Sequence, residues 1–380
     1  MKPNTRIAIL HDSDGFGGHE IAFLRVVPAI LDDDRIETVI FYIYAGNSAL
    51  LKALSAINHS KLHITTHSYR KLPGETFIAP FRISYGLAAR RFVSEAHADI
   101  VLMLQGRVEN LATPMIWLPK SVDIVSYLPM AHSGIEMGRH PLASFIRDSV
   151  KQPYYARPQR TIVVSTAVAA QLRRAGRRKP VYVVENVPPP APAEPVDRAQ
   201  ARQILGLPPE GNIALFMGRF DMFQKGLDRL IRDIRGGAHA LDQWLFIFVG
   251  GGPAESALQA LLNESGIDGR IVNWSSRPDR FMAACDVLLL PSRFEGVPLI
   301  MLEAMCAGLP VLASKIDVYE EYLSLDALYD FEHPVDLPGA LEMAVSPRAV
   351  ADFKAHADQV LSRLKLETSQ QGFLSALLGE

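Results

Sequence analysis

Short apolar runs of strand length alternate with helical patterns, apolar every three or four positions, through nearly all of the 380 residues. That alternation is the mark of an α/β chain with parallel sheets. In the first half it predicts strands at Arg6–Leu10, Thr38–Tyr44, Ile100–Leu104, Asp123–Tyr127 and Thr161–Val164, with helices such as Glu20–Leu31 and Ile83–Ala96 between them. The second half repeats the scheme at Ile213–Phe216, Trp244–Val249, Arg270–Asn273, Asp286–Leu290 and Val311–Ala313. Between the halves, Val187–Pro195 holds five prolines in nine residues. Such a run sustains neither a helix nor a central strand and reads as an extended linker. The predicted organisation is therefore an N-terminal α/β domain over 1–186, a Pro-rich linker over 187–200, a second α/β domain over 201–347 and helices over 348–380. Two such sheets facing each other across a cleft would bind ligands at the carboxyl ends of their strands.

Composition narrows the class. Hydrophobic residues make up 48% and charged residues 21%, which excludes a disordered or collagen-like chain. Two cysteines, Cys285 and Cys306, supply neither a disulfide framework nor a multi-cysteine zinc site. The start lacks the apolar segment of a secretion signal, and no run reaches the ~18–20 apolar residues of a membrane-spanning helix. The expectation is a cytoplasmic protein, with peripheral contact at the inner face of a membrane.

That last expectation comes from charge. The formal net charge of −2 hides 23 basic against 15 acidic residues in 1–186, and 16 against 26 in 187–380. Arg173, Arg174, Arg177, Arg178 and Lys179 form the densest basic cluster, and Arg82, Arg90 and Arg91 add to the same half. They suit an anionic membrane surface or an anionic acceptor; a solvated helix end is the structural alternative. Little aromatic interleaving accompanies them, which argues against nucleic acid.

Three segments carry candidate chemistry. The first predicted strand runs into a glycine-containing turn over residues 11–20, where backbone amides can approach a phosphate. Its spacing is not Gly-x-Gly-x-x-Gly, and such turns also serve packing alone. A second loop, over residues 217–226, carries Arg219 and Lys225 at the end of a strand. A guanidinium fork and a mobile ammonium suit a diphosphate, and a solvated basic loop is the alternative. The third is Pro291–Pro310. There Glu295 closes a loop, Pro298 fits the first turn of a helix, and Glu303 lies on that otherwise apolar helix. A carboxylate so placed costs free energy unless it is paired or used.

Glu295 and Glu303, eight apart within EGVPLIMLEAMCAGLPVLAS, resemble the signature of retaining family-4 glycosyltransferases of the GT-B fold. Gly17-Gly18-x-Glu20 resembles that family's N-terminal glycine motif, and Gly218-Arg219 with Lys225-Gly226 its diphosphate-binding pair. Val249–Pro253 and Ala284–Val287 extend the match, which is specific over about 213–314. The resemblance implies two Rossmann-like domains and transfer of a sugar from a nucleoside diphosphate donor to a glycan or lipid-linked acceptor. It places this in envelope or exopolysaccharide synthesis, without a metal or other cofactor. It assigns Arg219 and Lys225 to the diphosphate, Glu303 to the ribose hydroxyls, and Glu295 to the donor sugar near the reacting centre. Backbone amides of Gly296, Val297 and Leu299 would meet sugar or phosphate, and Gly17 and Gly18 would close over the phosphates from the other domain. The family's N-terminal histidine is best matched by His132, with His11 and His19 as competitors.

Two departures stand out. Asn273-Trp274-Ser275-Ser276 occupies the place of an apolar residue and glycine near the base, so Trp274 either stacks on the base or fills core. The Pro-rich linker replaces the family's usual Asn-Gly-Val-Asp run. His59, His63 and His67 recur every four residues, but Ile64-Thr65-Thr66 favours a strand there, against a metal site. The rival readings are a nucleotide-sugar epimerase or hydrolase of similar fold, and a non-catalytic nucleotide-sugar-binding protein.

Overall fold

The structure is a computed structural model in which residues 4–333 and 336–380 are described. The chain divides into two compact units, one of residues 4–186 with Lys365–Glu380 and one of Val187–Leu364.

Seven parallel strands build the first unit: β1 Thr5–His11, β2 Ile36–Tyr44, β3 Leu62–His67, β4 Ile100–Leu104, β5 Asp123–Tyr127, β6 Arg160–Val163 and β7 Val181–Val183. Their order is β3-β2-β1-β4-β5-β6-β7. The near-continuous apolar runs predicted as strands become the central ones, because helices cover both faces of a parallel sheet. Ile9 lies opposite Phe41 on one side and Leu102 on the other, and all three are fully buried. The edges are β3, where Ile64-Thr65-Thr66 favours a strand without fixing its bounds, and β7, which is not predicted because it is only three residues long. Within β3, His63 is exposed and His67 is buried against Tyr42.

One predicted helix is two. Glu20–Leu31 breaks into Gly18–Leu24 and Val27–Asp32. Pro28 cannot donate to the preceding turn, so the break falls at Arg25-Val26 and Pro28 joins the first turn of the next helix. The helical tail also divides. Pro347–Arg363 belongs to the second unit, whereas Leu366–Leu378 packs in the first. There Phe373 meets Phe23 and Tyr127 at 5.7 and 5.2 Å between ring centroids. Arg160 donates to the carbonyls of Ala376 and Leu377 at 3.1 and 3.0 Å, satisfying the last turn of that helix.

The dense basic cluster is not one surface. Arg177 is buried, donating to the carbonyls of Tyr155, Pro158, Gln159 and Pro180. It fastens a turn, and only its neighbours face water.

Six parallel strands build the second unit: β8 Asn212–Arg219, β9 Trp244–Gly251, β10 Gly269–Val272, β11 Val287–Leu290, β12 Val311–Ser314 and β13 Leu328–Tyr329. Their order, β10-β9-β8-β11-β12-β13, is the doubly wound 3-2-1-4-5-6 arrangement. Phe216, Phe246 and Phe248 pack beneath Leu227, Leu230 and Ile234 of the helix Leu227–Gly237 to form one core face. At the amino ends of these strands, Asp286 accepts from the Ile213 amide at 2.8 Å and from Arg202 at 3.0 Å. Arg202 is buried and also donates to four carbonyls, including Ala284 and Gly211. The aspartate of the Ala-Cys-Asp-Val run is thus a structural anchor, at the end of the sheet opposite the loops that carry chemistry.

Two buried groups in the first unit make its stability depend on pH. Asp12, fully buried after β1, accepts from the Leu111 amide at 2.9 Å and from Asn110 at 3.3 Å. Burial outweighs these bonds and lifts its carboxyl to about 6. His19 stacks on Tyr127 at 4.6 Å, with both ring nitrogens sealed from solvent and unbonded among the described residues. Loss of hydration pushes it down to about 4, so it is neutral. Between about 4 and 6.5 only the unfolded chain protonates at His19, so its contribution is complete above 6.5 and lost as pH falls. Asp12 works in the opposite sense over about 4 to 6. His19→Phe is therefore expected to flatten the acid limb, adding on the order of 2 kcal/mol near pH 5 relative to its effect at pH 8. Melting temperatures across that range check it; an equal shift at both ends would refute it.

Candidate functional site

β8 and β11 pair in parallel, with Ala214 opposite Val287. The chain leaves them to opposite sides of the sheet order, so their following loops flank the crevice where the winding reverses. The β8 loop, 220–226, leads into the helix Leu227–Gly237, and the β11 loop, 291–298, into the helix Leu299–Ala307. They touch at Gly226. Its φ of 67° is left-handed, and a Cβ there would lie 1.8 Å from the Pro291 carbonyl oxygen. Glycine is required on both counts. Next door, Gly250 and Gly252 leave β9 with φ near 150°, and a Cβ on Gly250 would lie 1.9 Å from the Gly218 carbonyl oxygen. The backbone can come this close because side chains are absent.

This contact sets the charged groups. Lys225 Nζ lies 2.6 Å from Glu295 Oε1, and the Ser292 hydroxyl donates to the same oxygen at 2.9 Å. Glu295 is buried and Lys225 nearly so. An ion pair this far from water holds its geometry only if its remaining bonds are made, and Ser292 makes one of them. Arg219, at the end of β8, bonds Gln224 at 2.9 Å and Asp221 at 3.0 Å while half of its side chain stays in solvent. A guanidinium and an ammonium thus lead from solvent toward a buried carboxylate.

Two further arginines fasten the loops. Arg293 makes a bidentate pair with Asp228, 2.7 Å in each arm, donates to the Phe223 carbonyl and stacks on the Phe223 ring at 4.5 Å. Its amide donates to the Gln224 carbonyl at 2.9 Å. Arg229 is buried; it donates to the Pro291 carbonyl and the Ser314 hydroxyl and pairs with Glu332. These residues, with Ser292, were not singled out from the sequence. Their only signal was charge beside an apolar strand and in the first turn of a helix, which a solvated surface shows equally well.

The remaining predicted residues fall as follows. Gly296 and Val297 lie in the β11 loop and Leu299 is the first residue of the helix. Pro298 is the N-cap, with ψ of 126°, one position earlier than the expected first turn. Glu303 is half-buried on that helix, so its carboxylate is less costly than the apolar sequence around it suggested. Trp274 is 64% exposed, with its indole edge toward Gly251, which removes it from the core. Gly17, Gly18 and His132 belong to the first unit. The Gly17 amide donates to Glu20 Oε2 at 2.8 Å, and Glu20 Oε1 lies 3.4 Å from His11 Nε2. His132 lines a cavity of about 290 Å³ with Ser133, Glu136, Asp148 and Arg174. His132, with Nδ1 3.8 Å from Glu136 Oε2, followed by the hydrogen bonds of the Ser133 amide and hydroxyl, holds the Glu136 carboxyl down at about 2. Among the described residues no group of three or more His, Cys, Asp or Glu side chains is placed to hold a metal ion.

Residues 197–329 match the family model for glycosyl transferases group 1. Among curated relatives, the chain is 30% identical over 166 residues to the lipopolysaccharide core biosynthesis glycosyltransferase LpsD of Rhizobium meliloti, covering 43% of this chain and 46% of that one. It is 29% identical over 213 residues to the 2-deoxystreptamine glucosyltransferase of Streptomyces kanamyceticus, covering 53% and 54%. The match thus spans about half the length of these relatives. Among solved structures, Anabaena Alr3699/HepE in complex with UDP and glucose superimposes with a TM-score of 0.75 at 19% identity, over 99% of this chain and all of that one. WaaG, a glycosyltransferase involved in lipopolysaccharide biosynthesis, gives 0.72 at 16% identity, over 98% of this chain and all of that one. The fold is GT-B, two Rossmann-like domains with parallel sheets, and the likeness to group 1 glycosyltransferases lies in residues 197–329.

Removing the clamp should loosen the loops it joins. Arg293→Ala is expected to cost about 1–2 kcal/mol by stranding Asp228 and the Phe223 carbonyl. Combined with Asp228→Asn the losses should be less than additive. Urea unfolding of the two single variants and the double variant measures this, and simple additivity would show that the pair is not coupled.

Proposed function

We propose that the chain is a glycosyltransferase that moves a sugar from a nucleoside diphosphate donor to a glycan or lipid-linked acceptor, with retention at the anomeric carbon. The observation that carries this reading is the placement of Arg219, Lys225 and Glu295 at the carboxyl ends of β8 and β11. Breaking the bond between the anomeric carbon and the diphosphate puts negative charge on the leaving phosphate. A nearly buried ammonium and a half-exposed guanidinium, already positioned, stabilise that charge as it develops. Glu295 accepts hydroxyls of the donor sugar, Glu303 those of the ribose, and the amides of Gly296, Val297 and Leu299 meet sugar or phosphate at the helix start. Trp274 presents an exposed ring to the base. Of the two glycines of the first unit, Gly18 is the one whose amide is offered to phosphate, since that of Gly17 is bonded to Glu20, and no metal or other cofactor enters this reading.

In the same-face route the acceptor oxygen bonds to the anomeric carbon as the bond to the phosphate oxygen breaks, and the acceptor proton passes to that phosphate. His132 is the histidine of the first unit suited to the reacting sugar, since it opens onto a cavity while His11 is buried and the ring nitrogens of His19 are sealed. Relatives named for lipopolysaccharide core biosynthesis support an envelope glycan as acceptor, and the UDP complexes of HepE make a uridine diphosphate donor the first to try.

Thermal shift with uridine, guanosine, adenosine and thymidine diphosphate sugars tests the donor site, because a ligand of the folded state alone raises Tm. One base should stand out, and Lys225→Ala should abolish its shift. Glu295→Gln should keep most of the binding and lower transfer by about 10²–10³-fold. A shift unaffected by Lys225→Ala would refute the site, and binding without any product would favour a non-catalytic sugar-nucleotide binder.

A further inference from the structure

Two neighbouring segments of the first unit bury charged groups while leaving large apolar side chains in water. On the helix Pro141–Ala156 the buried positions are Ser144, Lys151, Tyr154 and Tyr155, and Lys151 is answered by Glu109 at 3.0 Å. The outward stripe is Leu142, Phe145 and Ile146, spaced three and four apart, with Phe145 72% exposed. Over residues 75–87 part of the pattern recurs, beside Ala79 and Tyr85, which are buried as on an ordinary helix. Glu75 is fully buried, accepting from Arg82, Thr113 and the Leu72 amide, while Phe77, Phe81, Ile83 and Leu87 point out, Phe81 at 81%. The segments adjoin: Tyr154 donates to the Thr76 carbonyl at 2.6 Å, and the Arg147 guanidinium lies 5.9 Å from the Phe77 ring centre.

An ordinary surface helix does the reverse, burying its apolar stripe. Seven large exposed apolar side chains on two touching segments make a patch of the kind that marks an interaction surface. Its rim is basic. Residues 70–95 and 135–147 together hold seven Lys or Arg against three Asp or Glu, and one of those acids, Glu75, is buried and answered by Arg82. Arg90 and Arg91 continue the outward face of the helix Ile83–Glu95 beyond Leu87, and Arg139 is exposed just before the other helix. A second copy would oppose one basic rim to another. An anionic bilayer matches both parts, taking Phe and Leu side chains below its headgroups and Arg beside its phosphates.

We propose that the face formed by Phe77, Phe81, Ile83 and Leu87 with Leu142, Phe145 and Ile146 docks on the surface of an anionic phospholipid bilayer. The contact is interfacial, since no described helix is long and apolar enough to cross a membrane. The Arg173–Lys179 end, expected from the sequence to carry such a contact, has no apolar face of this kind and spends Arg177 internally. The proposal stands on the surface alone and is independent of the donor chemistry.

Flotation of the full chain with vesicles tests it. The wild type should bind vesicles of phosphatidylcholine mixed equally with phosphatidylglycerol, bind phosphatidylcholine alone about tenfold less, and weaken as salt rises. Phe81→Ser combined with Phe145→Ser should lose at least about tenfold, since two rings no longer leave water. Both sites are exposed, so the fold should survive, which the Tm checks. Arg173→Glu with Arg178→Glu should stay within about twofold of wild type. The proposal is overturned if the wild type stays unbound at low salt, or if the arginine pair costs as much as the phenylalanine pair. It also falls if light scattering shows a dimer that the phenylalanine variant dissociates, which would make the face a contact between copies.

Discussion

The approach of Gly226 to the carbonyl of Pro291 is the constraint on which the second unit's chemistry depends. It joins two loops that are 65 or more residues apart in sequence and brings Lys225 within 2.6 Å of Glu295. Everything nearby serves that approach: glycines at 218, 250 and 252 remove side chains, Arg229 holds the Pro291 carbonyl, and Arg293 ties its own loop to Asp228 and Phe223. The free energy for a buried carboxylate comes from this scaffold, because the charge is met by a fixed ammonium and hydroxyl in place of mobile water.

The same topology serves different ends in the two units. In the first, the reversal of winding lies between β1 and β4, and it is filled. Asp12 takes the Leu111 amide and Asn110, and Gln105 bonds the Asn110 carbonyl at 2.6 Å. In the second it lies between β8 and β11, and half of the Arg219 side chain remains in solvent there. A doubly wound sheet supplies the crevice in each case. Whether it becomes a binding site depends on the residues that follow the strands, small and cationic in one unit, polar and mutually bonded in the other.

That distinction marks what could be read in advance. The central strands declared themselves as continuous apolar runs, and Arg219, Lys225 and Glu295 stood at strand ends where a parallel sheet delivers ligands. The edge strands were fainter: β3 showed only as Ile64-Thr65-Thr66 among polar residues, and β7 is three residues long, too short to register. The break at Arg25-Val26 was signalled by Pro28 but hidden by apolar spacing that continues through it. Arg293, Arg229 and Asp228 were illegible for a deeper reason. Their partners come from loops distant in sequence, and no local pattern separates an arginine that clamps two loops from one that is merely solvated. Arg177 misled in the opposite direction, as part of a basic run whose middle member is structural.

The polarity of helices carries the last step. Sequence periodicity shows that a helix has two faces, but not which one the rest of the chain covers. In Pro141–Ala156 the covered face is the one with Lys151, Ser144 and two tyrosines, because Glu109 and the carbonyl of Thr76 wait there with matching bonds. In the 75–87 segment the covered side holds Glu75, met by Arg82 and Thr113. With those polar groups, and Tyr85 beside Glu75, on the covered side, Phe77, Phe81, Leu142 and Phe145 lie at the surface. Leaving them in water costs free energy that a closed core would recover. A surface that sustains this cost on two adjoining segments, with arginines along its edge, is better explained by a partner with an apolar interior and an anionic skin than by solvent.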